Sequence, residues 1–424
     1  MQGLLLAYWA VALAAIITSA LLAWQTWEHR RFVRSRIRNP SIIPCRGRVA
    51  LFVPCKGCDP DLEANLRPLF EQDHGNYELI VAVESLADAA CSVINRLIDQ
   101  HPQHKVTLVV AGNTSTHGQK VHNLLAATAN LPPEIRILAF VDDDVRPPSH
   151  WLRMLTQRLN EYVASTGYRW FVPERPTFAN CLLSSVNAAV IPIMFPGYHH
   201  KVWGGSWAIR RELFDSAGVR EAWQNTLSDD LVAGNVLARL RRRISVEPAC
   251  ILPSPVDVNL RAMFSFVRRQ YTIGRFYSPA LWTVMLIYSC VTQAVFWGTV
   301  AAGVYGLATG ATGVWWLALV TAVLYALHVF RGRVRQQASR PFMATRWKEL
   351  AGARRFDIWL APLASLAICY ALVRSAFGRV IAWKDIEYEM CHDGKIRRIS
   401  RLSQAVCSPT TDSTVEDVRR RLAA

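Results

Sequence analysis

The chain has 424 residues, of which 51% are hydrophobic and 19% are charged, and its 48 Lys and Arg against 32 Asp and Glu leave a formal net charge of +16. So apolar a composition excludes a disordered chain and argues against a wholly soluble enzyme or a DNA-binding module. A positive surplus is typical of proteins whose partners are anionic, such as nucleic acid, an anionic membrane surface or a phosphate-bearing ligand. Because fifteen tryptophans accompany long uncharged stretches, we expect a lipid bilayer, and no nucleic acid, as a partner.

The ten cysteines do not form the pattern of a disulfide scaffold or a zinc site. Cys55 and Cys58 make a C-x-x-C pair, but no second pair of cysteines or histidines at ligand spacing completes a metal site. We therefore expect free thiols.

The first element along the chain is an apolar run over residues 4–24, which carries no charge and is long enough to cross a bilayer as a helix. The arginines that follow it, among them Arg30, Arg31 and Arg34, are typical of the cytoplasmic flank of a span. A signal peptide would instead carry its basic residues before the run. The pattern predicts a transmembrane anchor over residues 1–30, with the next domain in the cytoplasm.

Residues 48–277 form the one long stretch with the composition of a soluble domain. Its apolar runs and helical periodicity predict strands at 49–53, 78–83, 106–111 and 135–141 and helices at 61–71, 88–100 and 120–129. Buried strands that alternate with helices favour an α/β fold with a mostly parallel sheet. Ligands of such sheets bind beyond the carboxyl ends of the strands, so polar residues there are candidates for function.

Apolar density returns in a C-terminal membrane region over residues 278–378, with candidate spans at 280–308, 314–330 and 358–377. The basic run 331–340 belongs in the cytoplasm by the charge rule. Counting three spans then sends the polar tail, residues 379–424, to the opposite face, unless one segment is re-entrant or interfacial. A shorter apolar stretch, 181–196, is either an interfacial helix or a buried core helix.

Three carboxylates, Asp142, Asp143 and Asp144, follow the predicted strand 135–141. Such a cluster is tolerable where a cation lies between the charges, and carboxylate oxygens are the ligands that Mg²⁺ or Mn²⁺ prefers. Asp142 and Asp144 point to the same side of an extended segment, so we expect them to hold the metal together with a diphosphate. A solvated acidic loop is the alternative.

Two further polar segments have both a structural and a functional interpretation. Asp229 and Asp230 precede a helical pattern, where they favour the helix dipole or supply a general base. The basic aromatic segment 264–277 precedes the membrane region. Its arginines are either a cytoplasmic flank of the spans or a clamp for a diphosphate.

These motifs and their order resemble those of the ceramide glucosyltransferase-like inverting glycosyltransferases, over roughly residues 1–385. The matching segments are Val53-Pro54-Cys55-Lys56-Gly57, Val83-Glu84 with Asp88, Gly118-Gln119-Lys120, Asp142–Asp144, Gly204-Gly205-Ser206, Asp229-Asp230 and Arg269-Gln270. The family's (Q/R)-x-x-R-W motif is altered here, because Gln270 and Tyr271 stand where the family has arginine and tryptophan. The altered motif resembles a variant in bacterial relatives.

The resemblance implies a cytoplasmic α/β domain of the GT-A fold that uses a UDP-sugar. It assigns the nucleotide-sugar site to Pro54, Lys56, Glu84, Asp88, Lys120, Asp142, Arg269 and Gln270. It assigns the metal, Mg²⁺ or Mn²⁺, to Asp142 and Asp144, and the catalytic base to Asp230, with Asp229 beside it. The turn Gly204, Gly205 and Ser206 would admit the acceptor.

The function expected from this resemblance is transfer of a hexose, with glucose favoured, to the hydroxyl of a membrane lipid such as ceramide, with inversion. The enzyme would be a multi-pass protein of a bacterial inner membrane. A processive polysaccharide synthase of the cellulose or hyaluronan type is the alternative, although it requires an intact Q-x-x-R-W motif. A membrane protein without enzymatic activity would leave Asp142, Asp144 and Asp230 without a role.

Overall fold

A computed structural model of the protein describes residues 2–39, 47–195 and 201–402. Ten strands lie within these ranges: β1 Arg48–Pro54, β2 Tyr77–Val83, β3 Val106–Val110, β4 Ile135–Phe140, β5 Ala164–Pro173, β6 Trp207–Arg210, β7 Ile244–Val256, β8 Val380–Trp383, β9 Ile386–Met390 and β10 Ile396–Arg401. The helices there are α1 Gln2–Arg38, α2 Leu62–Phe70, α3 Ala90–Gln100, α4 Gln119–Ala127, α5 Trp151–Thr156, α6 Phe178–Ala188, α7 Arg211–Ser216, α8 Val219–Ala222, α9 Asp229–Arg239, α10 Leu260–Tyr277, α11 Pro279–Thr309, α12 Val314–Ser339, α13 Ala351–Trp359 and α14 Ala361–Ser375.

The central sheet has seven strands in the order β3-β2-β1-β4-β6-β5-β7. Strands β3, β2, β1 and β4 are parallel neighbours, and β6 runs antiparallel between β4 and β5. The four strands and three helices predicted from the sequence are confirmed, with ends that shift by one or two residues. Parallel order brings the carboxyl ends of β1 and β4 side by side, and polar residues follow both.

Both faces of the sheet are covered, as a parallel sheet requires. Helices α2, α3 and α5 pack on one face, and α4, α8 and α9 pack on the other. Phe52 and Trp207 stack on Phe140 from the neighbouring strands, with ring centroids 5.0 and 4.3 Å away. This aromatic stack joins β1, β4 and β6 on one face of the sheet, just before the loop that follows β4.

Three helices of the described chain are long and apolar enough to cross a membrane: α1, α11 and α12. Helices α13 and α14 would count as a fourth span together, but they bend by 81° at a short break. Arg335 of α12 forms a fully buried ion pair with Asp357 of α13, and Gln336 donates to the same carboxylate at 2.7 Å. The bent pair is therefore tied to α12, and its shape is that of either a broken span or a re-entrant segment.

Residues 380–401 form a second, antiparallel sheet of strands β8, β9 and β10, here called the C-terminal sheet. It packs on the α/β domain: Tyr388 is fully buried and its hydroxyl accepts the backbone N–H of Gln119 at 3.1 Å. Groups joined by a hydrogen bond lie on one side of a bilayer, so residues 379–402 share a side with the α/β domain. Of the two alternatives that the span count left open, this favours a re-entrant or interfacial segment, and the predicted span 358–377 belongs to the bent pair. Residues 403–424 lie outside the described ranges.

The apolar stretch 181–196 begins within α6, whose residues are buried from Ala179 to Ala188. The helix packs between β5 and the bent pair. Thr177 caps its first turn by accepting the N–H of Asn180. Of the two interpretations of this stretch, the buried core helix describes α6, and residues 196–200 lie outside the described ranges.

Candidate active site

A cleft of about 770 Å³ opens at the carboxyl ends of β1 and β4. Its polar end is formed by the loop after β4, the start of α4 and the start of α9, which together supply Lys120, Asp142, Asp144, Asp229 and Asp230. These five residues were predicted from the sequence, and the fold brings them into one cleft. Pro54 lies at the same end.

The carboxylates after β4 are neutralised by two cations. Lys120 contacts Asp142 at 2.6 Å, and the guanidinium of Arg169 meets both oxygens of Asp144 at 3.1 and 3.2 Å. These contacts hold the pKa of Asp144 below its ordinary value, although burial raises it. Asp143 differs from its neighbours: burial raises the pKa of its carboxyl to about 7. Within the described ranges, no three His, Cys, Asp or Glu side chains are close enough to hold a metal ion.

The Asp229-Asp230 pair begins α9. Ser228 caps the helix, since its hydroxyl accepts the N–H of Leu231 at 3.3 Å and donates to Asp230 at 2.6 Å. The second oxygen of Asp230 accepts the N–H of Gly204 at 3.0 Å. The structural and the functional interpretation of this pair are therefore compatible, because Asp230 lies in the first turn of α9 and also lines the cleft.

Asp229 is buried and contacts Lys120 at 3.0 Å, so one ammonium joins the carboxylate of the β4 loop to that of α9. Burial raises the pKa of Asp229 to about 6, while Lys120 opposes this rise. Its Oδ2 makes no hydrogen bond to the described residues. The charge of the Asp229 carboxyl therefore depends on Lys120. Burial lowers the pKa of the Lys120 ammonium, but Asp142 and Asp229 raise it above its ordinary value.

In the turn before β6, the backbone of Gly204 and Gly205 lies very close to neighbouring side chains. A Cβ on Gly204 would lie 2.8 Å from Lys120 Nζ and 3.1 Å from Asp229 Oδ2, and one on Gly205 would overlap the ring of Trp203. Ser206 is fully buried and accepts a hydrogen bond from the Trp151 indole at 2.9 Å. The side chain of Ser206 therefore points into the core, and access of the acceptor past this turn stays a prediction.

Three of the residues expected at the nucleotide lie behind the cleft wall. Lys56 is 4% exposed and contacts Glu84 at 2.8 Å and Asp385 of the C-terminal sheet at 3.2 Å. Asp88 accepts the N–H groups of Gly57 and Ala90, which shapes the loop after β1 and the start of α3. Lys56, Glu84 and Asp88 thus support the wall from behind in this conformation.

Helix α10 places the altered motif at the cleft. Arg269, Gln270 and Tyr271 line it, and the guanidinium of Arg269 lies 5.5 Å from the ring of Phe266. Burial lowers the pKa of Arg269, and the nearby Arg169 charge adds to this effect. Two other arginines of the segment, at 268 and 275, donate to backbone carbonyls after α14 instead. Of these three arginines, Arg269 is therefore the one that lines the cleft, where its guanidinium is placed to clamp a diphosphate.

Several cleft residues were not found from the sequence. Arg169 stands in the middle of the apolar strand β5 and contacts Asp144, and Trp203 packs against it at 4.9 Å from the guanidinium. A charged side chain in an otherwise buried strand was the available signal for Arg169. Trp383 and Lys384 also line the cleft, and nothing in a segment interpreted as a polar tail pointed to them.

Away from the carboxylates the cleft becomes apolar. Side chains from α6, the short helical turn after it, α10 and the first turn of α11 line this end: Leu183, Val186, Ile193, Met194, Phe266, Ile273 and Leu281. Because α11 is long and apolar enough to cross a membrane, the apolar end faces the membrane region. One cleft thus joins a charged end to a hydrophobic end.

The structure thus combines a parallel-rich α/β sheet, a charged cleft at the ends of its strands and apolar helices long enough to cross a membrane. The sequence model of glycosyl transferase family 21 matches residues 7–396, and the chain belongs to that family. The predicted fold class is confirmed as an α/β domain with a parallel-rich sheet, together with helices that are apolar enough to cross a membrane.

The chain is also similar to individual proteins. Ceramide glucosyltransferase 1 of Caenorhabditis elegans is 23% identical over 266 residues, which cover 58% of this chain and 54% of the relative. The match thus spans about half the length of that curated relative. A ceramide glucosyltransferase of Komagataella phaffii is 39% identical over 54 residues, or 13% of this chain and 11% of the relative.

Two solved structures show distant likeness. The mannosyltransferase PcManGT from Pyrobaculum calidifontis, in complex with GDP-Man and Mn²⁺, has a TM-score of 0.47 and 16% identity, and covers 87% of this chain and 97% of its own. Residues 1–349 of S. aureus TarS have a TM-score of 0.36 and 12% identity, and cover 84% of this chain and 100% of their own.

Proposed function

We propose that this glycosyltransferase moves a hexose, glucose in the first instance, from a UDP-sugar to the hydroxyl of a membrane lipid such as ceramide, with inversion at the anomeric carbon. It would do so as a multi-pass protein of a bacterial inner membrane, with the catalytic domain on the cytoplasmic face. The observation that supports this proposal is the two-ended cleft, which offers charge for a diphosphate and an apolar lining for a lipid.

The residues of the charged end have distinct roles in the proposal. The lipid oxygen attacks the anomeric carbon as the bond to UDP breaks, and Asp230 takes the hydroxyl proton. Lys120 and Arg269 balance the charge that develops on the departing diphosphate, as cations do in transfers of this kind. Gly204 donates to Asp230 and leaves the approach to it free of a side chain.

A divalent metal, Mg²⁺ or Mn²⁺, fits the donor set at Asp142 and Asp144 when the diphosphate supplies further oxygens. Two carboxylates at a strand end are the hard oxygen ligands that these ions take, and metals of this kind are commonly held by few carboxylates plus phosphate. When bound, the metal would neutralise diphosphate charge. Lys120 and Arg169 pair with the same two carboxylates and would border the metal site.

Metal dependence can be tested by measuring UDP binding, without measuring turnover. We expect UDP to bind the purified protein at least tenfold more tightly with Mn²⁺ than in excess EDTA, as measured by calorimetry. Asp144→Ala should remove most of this difference, because it deletes one proposed ligand. Equal UDP affinity with and without the metal would contradict the assignment.

The activity is tested by expressing the full chain in cells that lack the product and comparing their lipid extracts. Membranes receive UDP-glucose or UDP-galactose in parallel, and any new glycolipid is identified by mass together with its anomeric configuration. We expect a β-linked monohexosyl lipid, and none from the matched Asp230→Asn variant. A long polymer would instead support a processive synthase, and no product with either donor would refute the proposal.

A further inference from the structure

The C-terminal sheet forms part of the cleft wall. Its residues Trp383, Lys384 and Tyr388 line the cleft beside Gln119 and Asp143. They come from a segment more than 200 residues after the loops that carry the predicted donor site. The fold therefore brings a second part of the chain to the carboxyl ends of β1 and β4.

The C-terminal sheet contacts the chain on two sides of the cleft, at the start of α4 and at the loop before α9. On one side the hydroxyl of Tyr388 accepts the N–H of Gln119 at the start of α4. On the other side Ile396 N–H donates to the carbonyl of Asn225 at 3.0 Å, and the Tyr277 hydroxyl donates to the carbonyl of Gly394 at 2.8 Å. These contacts fix the sheet to the loop that leads into α9.

A chain of alternating charges fastens the sheet to the loops after β1 and β2. Arg401 contacts Glu84 at 3.1 Å, Glu84 contacts Lys56 at 2.8 Å, and Lys56 contacts Asp385 at 3.2 Å. All four side chains are less than 30% exposed, so solvent screens these contacts little. The hairpin between β8 and β9, which contains Lys384 and Asp385, is therefore held in one position.

Within this hairpin, Lys384 is placed toward the donor end of the cleft. Its ammonium donates to the carbonyl of Lys56 at the end of β1 and lies 3.4 Å from Asp59 Oδ2. Its backbone has φ +52°, in the left-handed region that lysine seldom adopts. The two-residue turn between β8 and β9 requires this conformation, and glycine or asparagine would satisfy it with less strain.

The closest contact of Lys384 with a carboxylate is longer than those of Lys120 and Arg169. Lys120 contacts carboxylates at 2.6 and 3.0 Å, and Arg169 grips both oxygens of Asp144. Lys384 lies 3.4 Å from the Asp59 carboxylate and donates to a neutral carbonyl. Burial lowers the pKa of its ammonium, but the nearby carboxylates of Asp143 and Asp59 raise it overall, so the side chain is a cation. Because no carboxylate of the described residues holds it at less than 3 Å, this ammonium is able to turn to an anion in the cleft. The neighbouring Trp383 offers an aromatic ring 5.9 Å from the same ammonium.

We propose that the hairpin of Trp383 and Lys384 is a nucleoside-diphosphate-binding element, in which the ammonium contacts the diphosphate of the donor and the indole packs on its nucleoside. The proposal rests on the proposed function, because it concerns the donor of that reaction. It makes the C-terminal sheet an essential part of the donor site, joined to both the nucleotide loops and the base.

The test measures binding of UDP and of uridine to the purified full chain by calorimetry. Lys384→Gly is the first variant, because glycine takes φ +52° without strain and the fold is kept. We expect it to weaken UDP binding about tenfold or more, the usual effect of losing a charged hydrogen bond, and uridine binding less than about twofold. Lys384→Arg should restore most of the UDP affinity.

Trp383→Ala should weaken UDP and uridine binding alike, because both ligands carry the nucleoside. The matched control is Arg397→Ala on the same sheet: its side chain is 65% exposed and pairs with Glu389 away from the cleft. It should bind UDP like the unsubstituted protein. Thermal unfolding of each variant checks that the sheet remains docked.

The outcomes separate this proposal from the proposed function. If the unsubstituted protein binds UDP and Lys384→Gly binds it equally well, the role of Lys384 is wrong and the proposed function stands. If the unsubstituted protein binds no UDP, both are overturned. If Arg397→Ala weakens UDP binding as much as Lys384→Gly does, the effect comes from the stability of the sheet and the proposal fails.

Discussion

Replacing Asp230 by asparagine tests the proposed base most directly. A positioned carboxylate contributes roughly 10²–10⁴-fold to such a proton transfer, which corresponds to about 3–5 kcal/mol of the barrier. The substitution also has a structural cost. Asp230 accepts hydrogen bonds from Ser228, Leu231 and Gly204, and an amide can present oxygen to only one side. Losing one such bond costs about 1–3 kcal/mol of folding free energy.

The assay must therefore separate turnover from folding. We expect Asp230→Asn to lower kcat by about 10²-fold or more while the Kd for UDP changes by less than about threefold, because the base acts only in the transition state. Both quantities are measured on purified protein, together with the midpoint of thermal unfolding.

Ser228→Ala is the matched control. It removes the hydroxyl that donates to Asp230 at 2.6 Å and caps α9, but it keeps the carboxylate. Its cost is about 1 kcal/mol of stability, and we expect kcat to fall less than about tenfold. A rate for Asp230→Asn near that of the unsubstituted protein would refute the base. An inactive Asp229→Asn beside an active Asp230→Asn would transfer the role to Asp229.

Three other predictions concern pH, the membrane region and topology. The pKa of Asp229 is raised to about 6, so the folded protein keeps a proton that the unfolded chain releases near pH 4. The free energy of unfolding should therefore fall as pH rises from about 4 to 6. Thermal unfolding of Asp229→Asn should lack this part of the pH dependence. Arg335→Met should destabilise the protein by about 3–5 kcal/mol because it leaves the Asp357 charge buried alone, and the double variant with Asp357→Leu should recover much of that loss in the unfolding midpoint. Protease added outside sealed cells should spare both the catalytic domain and the C-terminal sheet, and external cleavage of one but not the other would contradict their shared side.

Much of the fold could be predicted because local sequence patterns determine its helices and strands. Strands β1, β2, β3 and β4 are continuous apolar runs, and the helices between them show helical periodicity, so each element is visible from its own residues. The same holds for α1, α11 and α12, whose length and lack of charge are properties of single segments. Asp142, Asp144 and Asp230 could be found because they adjoin such elements.

Tertiary structure decided what depends on distant partners. Ser206 is small and polar, and only its contact with Trp151 reveals that it points into the core. Lys56 looks like a ligand-binding residue until Glu84 and Asp385 are seen to surround it. Such pairings join residues far apart in sequence, and no local pattern records them.

The C-terminal sheet shows the same limit most clearly. Its strands are short, and charged residues lie among the apolar ones of β9 and β10, so the segment resembles a polar tail. The strands are stable because one face packs on the catalytic domain. The bend between α13 and α14 returns the chain to that domain. Local sequence patterns were enough to recognise the α/β domain, the anchor and the carboxylates at the strand end. Which side chains enclose the cleft was decided by the packing of the C-terminal sheet and α10 against the α/β domain, because burial and charge pairing are properties of the assembled fold.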